Sequence, residues 1–265
     1  FSSYWNIAEH ADFPEIFQLK RKPRGKVHYQ NKVAKVADLT AAHTRTSLCL
    51  GHLPIVFGGD HSVAIGSCRG ALEFALSQSQ KLGLLWIDAH HDAHTHVTTR
   101  SHHANGMPLA VNLGFGPRVF LSKRQAFLPE QVLHIGAGET DCEPEERTLL
   151  EGLGVPMISA KEFRQLNLVV PWTALMSFLD RVDLVWVSFD LDVANYAFAP
   201  GVHLRSTKGL ARSVLLWIAG HVAISGKLYG ADIMEYKPSA EEYDEDGVGK
   251  TMRLASDFLL RLLGR

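Results

Sequence analysis

With 265 residues, 46 % hydrophobic and 21 % charged, the chain has enough apolar surface to bury a large core and is expected to form one α/β domain. A formal net charge of −1 gives no long-range attraction to nucleic acid or an anionic membrane, and no apolar run approaches the roughly 20 residues that a membrane-spanning helix needs. Three scattered cysteines, Cys49, Cys68 and Cys142, and the lack of a signal-peptide pattern argue for the reducing cytoplasm, although the sequence opens at Phe1 and an upstream targeting segment would not be seen.

In chain order, residues 20–26 (K-R-K-P-R-G-K) are a basic run, expected to be a solvated loop because isolated charge runs are ordinarily solvated. Residues 31–50 have helical periodicity, and 53–57 (L-P-I-V-F) read as a buried strand. A helix at 62–77 precedes a strand at 82–87 (L-G-L-L-W-I), and a strand at 132–135 precedes a helix at 145–153. Strands then follow at 155–158, 184–189 and 227–233, with helices at 171–179, 210–221 and 250–263. There is no internal repeat, low-complexity tract or clear linker. Near-continuous apolar strands separated by helices predict a mainly parallel sheet covered on both faces.

Three stretches that each follow a predicted strand carry metal-ligand residues: G-G-D-H-S at 58–62, D-A-H-H-D at 88–92 and S-F-D-L-D at 188–192. In parallel α/β sheets, ligand sites form beyond the carboxyl ends of the strands, so three distant segments can converge on one crevice. Side chains two apart in an extended segment share a face, which groups Asp88, His90 and Asp92, and likewise Asp190 and Asp192. The paired glycines permit a tight turn that aims His61 inward. Singly, a D-x-D is a common surface pattern and G-D-H-S can be no more than a helix cap. Together, four carboxylates and two imidazoles at strand ends would repel by several kcal/mol unless cations neutralised them. An oxygen-rich set with a minority of imidazole suits two hard divalent cations, Mn²⁺ or its neighbours, sharing bridging carboxylates.

These motifs resemble the signatures of the ureohydrolases: arginase, agmatinase, formiminoglutamase and relatives. In motif detail the likeness is to arginase: Gly106-Met107-Pro108-Leu109-Ala110, Asp232-Ile233-Met234-Glu235 and Gly249 to Ala255 (G-K-T-M-R-L-A) are similar to arginase stretches. The resemblance covers about residue 53 to the C-terminus, whereas the first fifty residues lack the family's opening glycine-rich strand and loop. It implies a three-layer α/β/α fold around a parallel sheet, two Mn²⁺ ions, a small guanidino or amidine substrate and a homo-oligomer. It further implies that His61 and Asp92 are terminal ligands of one ion, His90 and Asp192 of the other, and that Asp88 and Asp190 bridge. A hydroxide formed by the ions near neutral pH would attack the substrate's trigonal carbon. Asp92 would hold that hydroxide and pass its proton to the leaving nitrogen, and Glu235 would pair with the guanidinium.

The chain departs from arginase near the substrate. Asn105 stands where arginase has a histidine, and an amide cannot shuttle protons near neutral pH. The positions that grip a substrate α-carboxylate are His94, Ser101 and His103 here, with only the serine kept. Asn195-Tyr196 replaces a D-P, and His203-Leu204-Arg205 replaces a G-T-P. Asp141 matches the acid expected to meet an α-amino group, and Arg205 is expected to pair with a substrate carboxylate at the mouth. Hydrolysis of L-arginine to ornithine and urea is the leading expectation. Formiminoglutamase and agmatinase are the alternatives, and the competing class is a metal-binding pseudoenzyme with a regulatory role.

Overall fold

The computed structural model describes residues 27–122, 125–138, 142–165 and 168–265. The basic run at 20–26 lies outside them. Helix α1 (Gln30–Cys49) leads to strand β1 (Ile55–Phe57), a 3₁₀ turn at His61–Val63, helix α2 (Ala64–Ser77) and strand β2 (Leu82–Ile87). A long loop containing a 3₁₀ turn at Ala104–Gly106 reaches helix α3 (Pro108–Asn112), followed by strand β3 (Val132–Ile135), helix α4 (Pro144–Leu153) and strand β4 (Met157–Ile158). Helices α5 (Ala160–Arg164) and α6 (Val169–Arg181) precede strand β5 (Leu184–Asp190). Helix α7 (Arg212–Ser225), strand β6 (Leu228–Met234) and helix α8 (Lys250–Leu262) complete the order. Among the described residues no helix is long and apolar enough to cross a membrane.

Prolines account for three of the differences from the expected boundaries. Strand β1 starts at Ile55 rather than 53 and β4 at Met157 rather than 155, because Pro54 and Pro156 have no N–H for the ladder. Their carbonyls still accept, from Ala231 N–H at 3.1 Å and from His134 N–H at 3.0 Å. Helix α6 begins ahead of Pro171, since first-turn N–H groups have no intrahelical partner to lose. Helices α3 and α5, at five residues each, are too short for periodicity to reveal.

All pairings in the six-stranded sheet are parallel, in the order β1-β6-β5-β2-β3-β4. Alternate strand residues feed two cores. Leu85, Ile87, Val187 and Phe189 pack with Phe178 of α6, Ile218 of α7 and Phe258 of α8. Leu84, Trp86 and Trp186 pack with Ala71 of α2, Leu109 of α3 and Leu150 of α4. Helices therefore cover both faces, giving the three-layer α/β/α arrangement. From β2 the chain winds outward through β3 to β4, then returns to β5 and winds the other way to β6. The strand order thus reverses between β2 and β5, and a crevice opens there above their carboxyl ends.

Helices α1 and α2 approach closely because Gly66 and Gly70 face Ala37 and Ala41; a Cβ on either glycine would collide with a backbone carbonyl of α1. Alanine in a helix is favoured over glycine by about 1 kcal/mol, but overpacking against rigid backbone costs about 1–3 kcal/mol. Gly70→Ala is therefore expected to destabilise the fold by about 1–2 kcal/mol in urea unfolding, against its helix propensity.

Candidate metal centre

Four strand ends build the crevice. Beyond β2, Asp88 donates its N–H to Ile135 O at 2.9 Å, continuing the ladder, and its Oδ1 accepts the His90 N–H at 2.8 Å, which turns the chain. Asp92 then adopts a left-handed φ of 48°. Its carbonyl accepts N–H groups of Leu109 and Ala110 at 3.0 and 3.3 Å, so the start of α3 holds this unfavourable backbone in place. At the end of β5, Asp190 Oδ1 accepts the Asp192 N–H at 2.8 Å and starts a 3₁₀ turn that keeps both acids on the crevice. After β1, Gly58 passes so close to Met234 that a Cβ would clash, and Asp60 caps the turn through Ser62 N–H at 3.0 Å, which buries His61. From β6 comes Glu235, with φ 65°, its N–H bonded to Gly59 O at 2.9 Å and its Oε1 accepting the His61 N–H at 2.8 Å.

The six expected ligand residues meet here. His61 Nδ1 lies 3.1 Å from Asp88, 3.2 Å from Asp92 and 3.0 Å from Asp190. His90 Nδ1 lies 3.5 Å from Asp88 and 3.1 Å from Asp192. Two ligand groups result, His61/Asp88/Asp92 and Asp88/His90/Asp192, sharing Asp88. The His61 ring stacks on Trp86 at 4.2 Å, and Trp86 Nε1–H donates to Asp88 Oδ2 at 3.1 Å.

On its far side, His61 Nε2 is 2.9 Å from Ser188 Oγ, and Ser188 donates its hydroxyl to Asp232. With that hydrogen committed, Ser188 can only accept from His61, so the neutral imidazole carries its proton on Nε2 and turns the Nδ1 lone pair into the crevice. Asp232 is fully buried and also receives Ser67 Oγ–H at 2.6 Å and Trp186 Nε1–H at 2.7 Å.

Electrostatics mark the crevice as starved of positive charge. Burial would lower the pKa of His61, but the carboxylates of Asp190, Asp88 and Asp92 overcome it and hold the imidazole well above its ordinary range. His90 is likewise raised against burial by Asp192 and Asp88. Asp92 and Asp192 are pushed up, by burial first and then by Asp88 and Asp190 respectively. Asp88 alone is driven down, as His61 and His90 outweigh its burial. Glu235 is pushed up to about 7 by burial and by Asp190. A donor set in which both imidazoles and two carboxyls are pushed toward holding protons is one that divalent cations suit, because they supply the same charge without protons. His61 Nδ1 and Asp192 Oδ1, buried without a hydrogen-bond partner among the described residues, fit that account.

The other expected site residues do not converge to the same degree. His94 is buried, with Nδ1 3.1 Å from Thr98 Oγ1 and Nε2 3.5 and 3.7 Å from Glu143 and Glu146. Ser101, His103 and Asn105 are exposed on the same loop, where Ser101 Oγ accepts the His103 N–H at 3.2 Å. Asp141 lies outside the described residues. Arg205 differs from expectation: Nε donates to Pro200 O at 3.0 Å and Nη2 to Ala240 O at 2.9 Å, so its guanidinium ties two loops together instead of standing open for a substrate carboxylate. Trp86, Ser188 and Asp232 lie inside the strands or quoted motifs, but the roles of Ser188 and Asp232 depend on neighbours 44 to 165 residues away, and that of Trp86 on the His61 ring brought in after β1. Glu143 and Glu146 read from sequence only as the start of a helix, since nothing local pairs them with His94.

Replacing Asp232 with Ala strands Ser67, Trp186 and Ser188 as buried donors, each costing about 1–3 kcal/mol. Urea unfolding in chelator is expected to show a loss of at least about 3 kcal/mol, with Asp232→Asn milder because one amide oxygen still accepts.

A profile described as Arginase family matches residues 4–264, so the match extends well ahead of residue 53. Human arginase-1 is 30% identical over 264 residues, covering 96% of this chain and 78% of the human protein. The arginase of Eremothecium gossypii is 29% identical over 239 residues, or 88% of this chain, which spans only 58% of that relative's length. The native structure of arginase from Bacillus caldovelox superposes with a TM-score of 0.82 at 28% identity, covering 94% of this chain and 81% of that one. With a profile match over nearly its whole length, the same parallel α/β fold and the ligand-bearing strand ends in place, this chain belongs to the arginase family.

Proposed function

We propose that this chain is a hydrolase of a guanidino or amidine C–N bond that works with two divalent cations, Mn²⁺ being the resident metal and L-arginine the substrate. The observation that carries this reading is the pair of buried ligand groups sharing Asp88 beside Glu235. Proteins of the arginase family are hydrolases of C–N bonds in amidines and guanidines, and arginases are the relatives that support arginine over the alternatives.

His61, Asp88, Asp92 and Asp190 would hold one cation, and Asp88, His90, Asp190 and Asp192 the other. Bound divalent cations supply Lewis acidity, which makes water a nucleophile near neutral pH. The chain's own groups do the rest. Glu235 has one oxygen occupied by the His61 N–H, so its other oxygen would receive the guanidinium through charge-assisted hydrogen bonds and set the trigonal carbon over the crevice. Asp92, fixed by its backbone and by α3, would take a proton from the attacking water and deliver it to the departing nitrogen as the carbon–oxygen bond forms and the carbon–nitrogen bond breaks. His94, Ser101, His103 and Asn105 would line the far end of the substrate. Asn105 holds no exchangeable charge, so it would position the substrate without shuttling protons.

The test is hydrolysis by Mn²⁺-loaded protein of L-arginine, agmatine, 4-guanidinobutyrate and N-formimino-L-glutamate, with urea, ammonia and formamide assayed separately. Urea from L-arginine is expected. Formamide from formiminoglutamate would reassign the substrate, and inertness with both ions bound would move the protein to the non-catalytic class. Asp190→Ala, which removes a carboxylate 3.0 Å from His61 Nδ1, is expected to lower Mn²⁺ content and to cut turnover by more than the ~100-fold that loss of an outer partner costs.

A further inference from the structure

Asp88, His90 and Asp92 turn toward the crevice, and His91, between them, turns the other way. Its ring is 1% exposed and meets the ring of His134 edge-on, with centroids 5.1 Å apart and planes at 62°. His134 belongs to β3, opposite Trp86 in the ladder, and is 0% exposed. Its Nε2 lies 2.8 Å from the carbonyl oxygen of His90. A carbonyl only accepts, so Nε2 carries the hydrogen and the tautomer is set. Among the described residues, neither ring nitrogen of His91 nor Nδ1 of His134 has a hydrogen-bond partner. A leucine or methionine would fill such a place without burying unmatched polar atoms.

What the pair achieves is local. The turn from Asp88 to Asp92 contains a residue with φ 48° and carries three of the candidate ligands. Its outer end is tied by the Asp92 carbonyl to the start of α3, and its middle by the His90 carbonyl to His134. His90 is the ligand residue least enclosed by protein, with a side chain 21% exposed against 10% or less for His61, Asp88, Asp92, Asp190 and Asp192. Its orientation therefore depends more on backbone placement than on packing.

We propose that His134 is a positioning residue of the metal centre. Donation to the His90 carbonyl, braced by the His91 ring, sets the angle at which the His90 imidazole meets Asp88 and Asp192. The inference rests on the cation-binding reading above and concerns a residue that touches neither substrate nor cation.

Glutamine carries its amide nitrogen about as far from the backbone as histidine carries Nε2, whereas asparagine stops short. His134→Gln and His134→Asn thus offer the same chemistry with and without reach. Mn²⁺ binding by equilibrium dialysis, together with thermal unfolding in EDTA and in Mn²⁺, separates the roles. Parent and His134→Gln are expected to bind two ions with matching affinity, and His134→Asn to hold one of them ~10–100-fold more weakly. The EDTA midpoints of the two variants should agree, with the stabilisation by Mn²⁺ smaller for asparagine. Parental affinity in His134→Asn, equal losses in both variants, or an asparagine deficit of the same size in EDTA and Mn²⁺ would each overturn the proposal in favour of packing alone. So would an asparagine variant that fails to fold in EDTA. A parent that binds no Mn²⁺ would remove the proposed function as well, whereas a parent with two ions and an unaffected asparagine variant would remove only this inference.

Discussion

Three carboxylates stand within 3.0–3.2 Å of one imidazole nitrogen, and a fourth stands 3.1 Å from the second imidazole, all at least nine-tenths removed from solvent. Burying that much like charge costs several kcal/mol per group unless something opposite accompanies it. The surroundings are arranged to tolerate it. Trp86 N–H and the backbone N–H groups of His90 and Asp192 each spend a donor on a carboxylate. What those donors leave uncompensated shows in the raised pKa values of the imidazoles and of Asp92 and Asp192. A chain carrying this cluster without cations would sacrifice stability for nothing, which ties the fold to its proposed chemistry.

The sheet makes the cluster possible. β2 and β5 are neighbours in space although about 100 residues apart in sequence, and each sends its next connection to a different side. Asp88 and Asp190, at the carboxyl ends of these paired strands, both lie beside His61 Nδ1, at 3.1 and 3.0 Å. β1 and β6 add His61 and Glu235 from the next pairing, where Glu235 binds the backbone N–H of His61. Rigid strands place the reacting groups, and loops carry the residues that differ from arginase.

Much of this was legible before any coordinates. The strands at 82–87 and 132–135 are readable to the residue because short, largely apolar runs bounded by turn residues are too brief for a helix, so length decides where period cannot. The strands led by Pro54 and Pro156 were read too long, since hydropathy does not register a missing N–H. The candidate ligands are legible because strand alternation, together with a position after the strand, predicts which side chains enter the crevice. The roles of Ser188 and Asp232 were not, because a hydroxyl bonded to an imidazole 127 residues away leaves no local pattern. Arg205 is a case of the same kind: a guanidinium in a loop reads as available, and only the structure shows its Nε and Nη2 engaged by the carbonyls of Pro200 and Ala240.

Composition, periodicity and spacing thus determined the layered α/β class and the six residues that meet at its centre, because those features depend on neighbours in the chain. Which ring nitrogen of His61 faces the crevice, how Asp88 comes to be shared, and what steadies the turn at His90 were decided by tertiary structure alone. Each depends on a hydrogen bond or a charge contributed by another strand, and such contacts exist only once the strand order has brought distant segments within about 3 Å of one another.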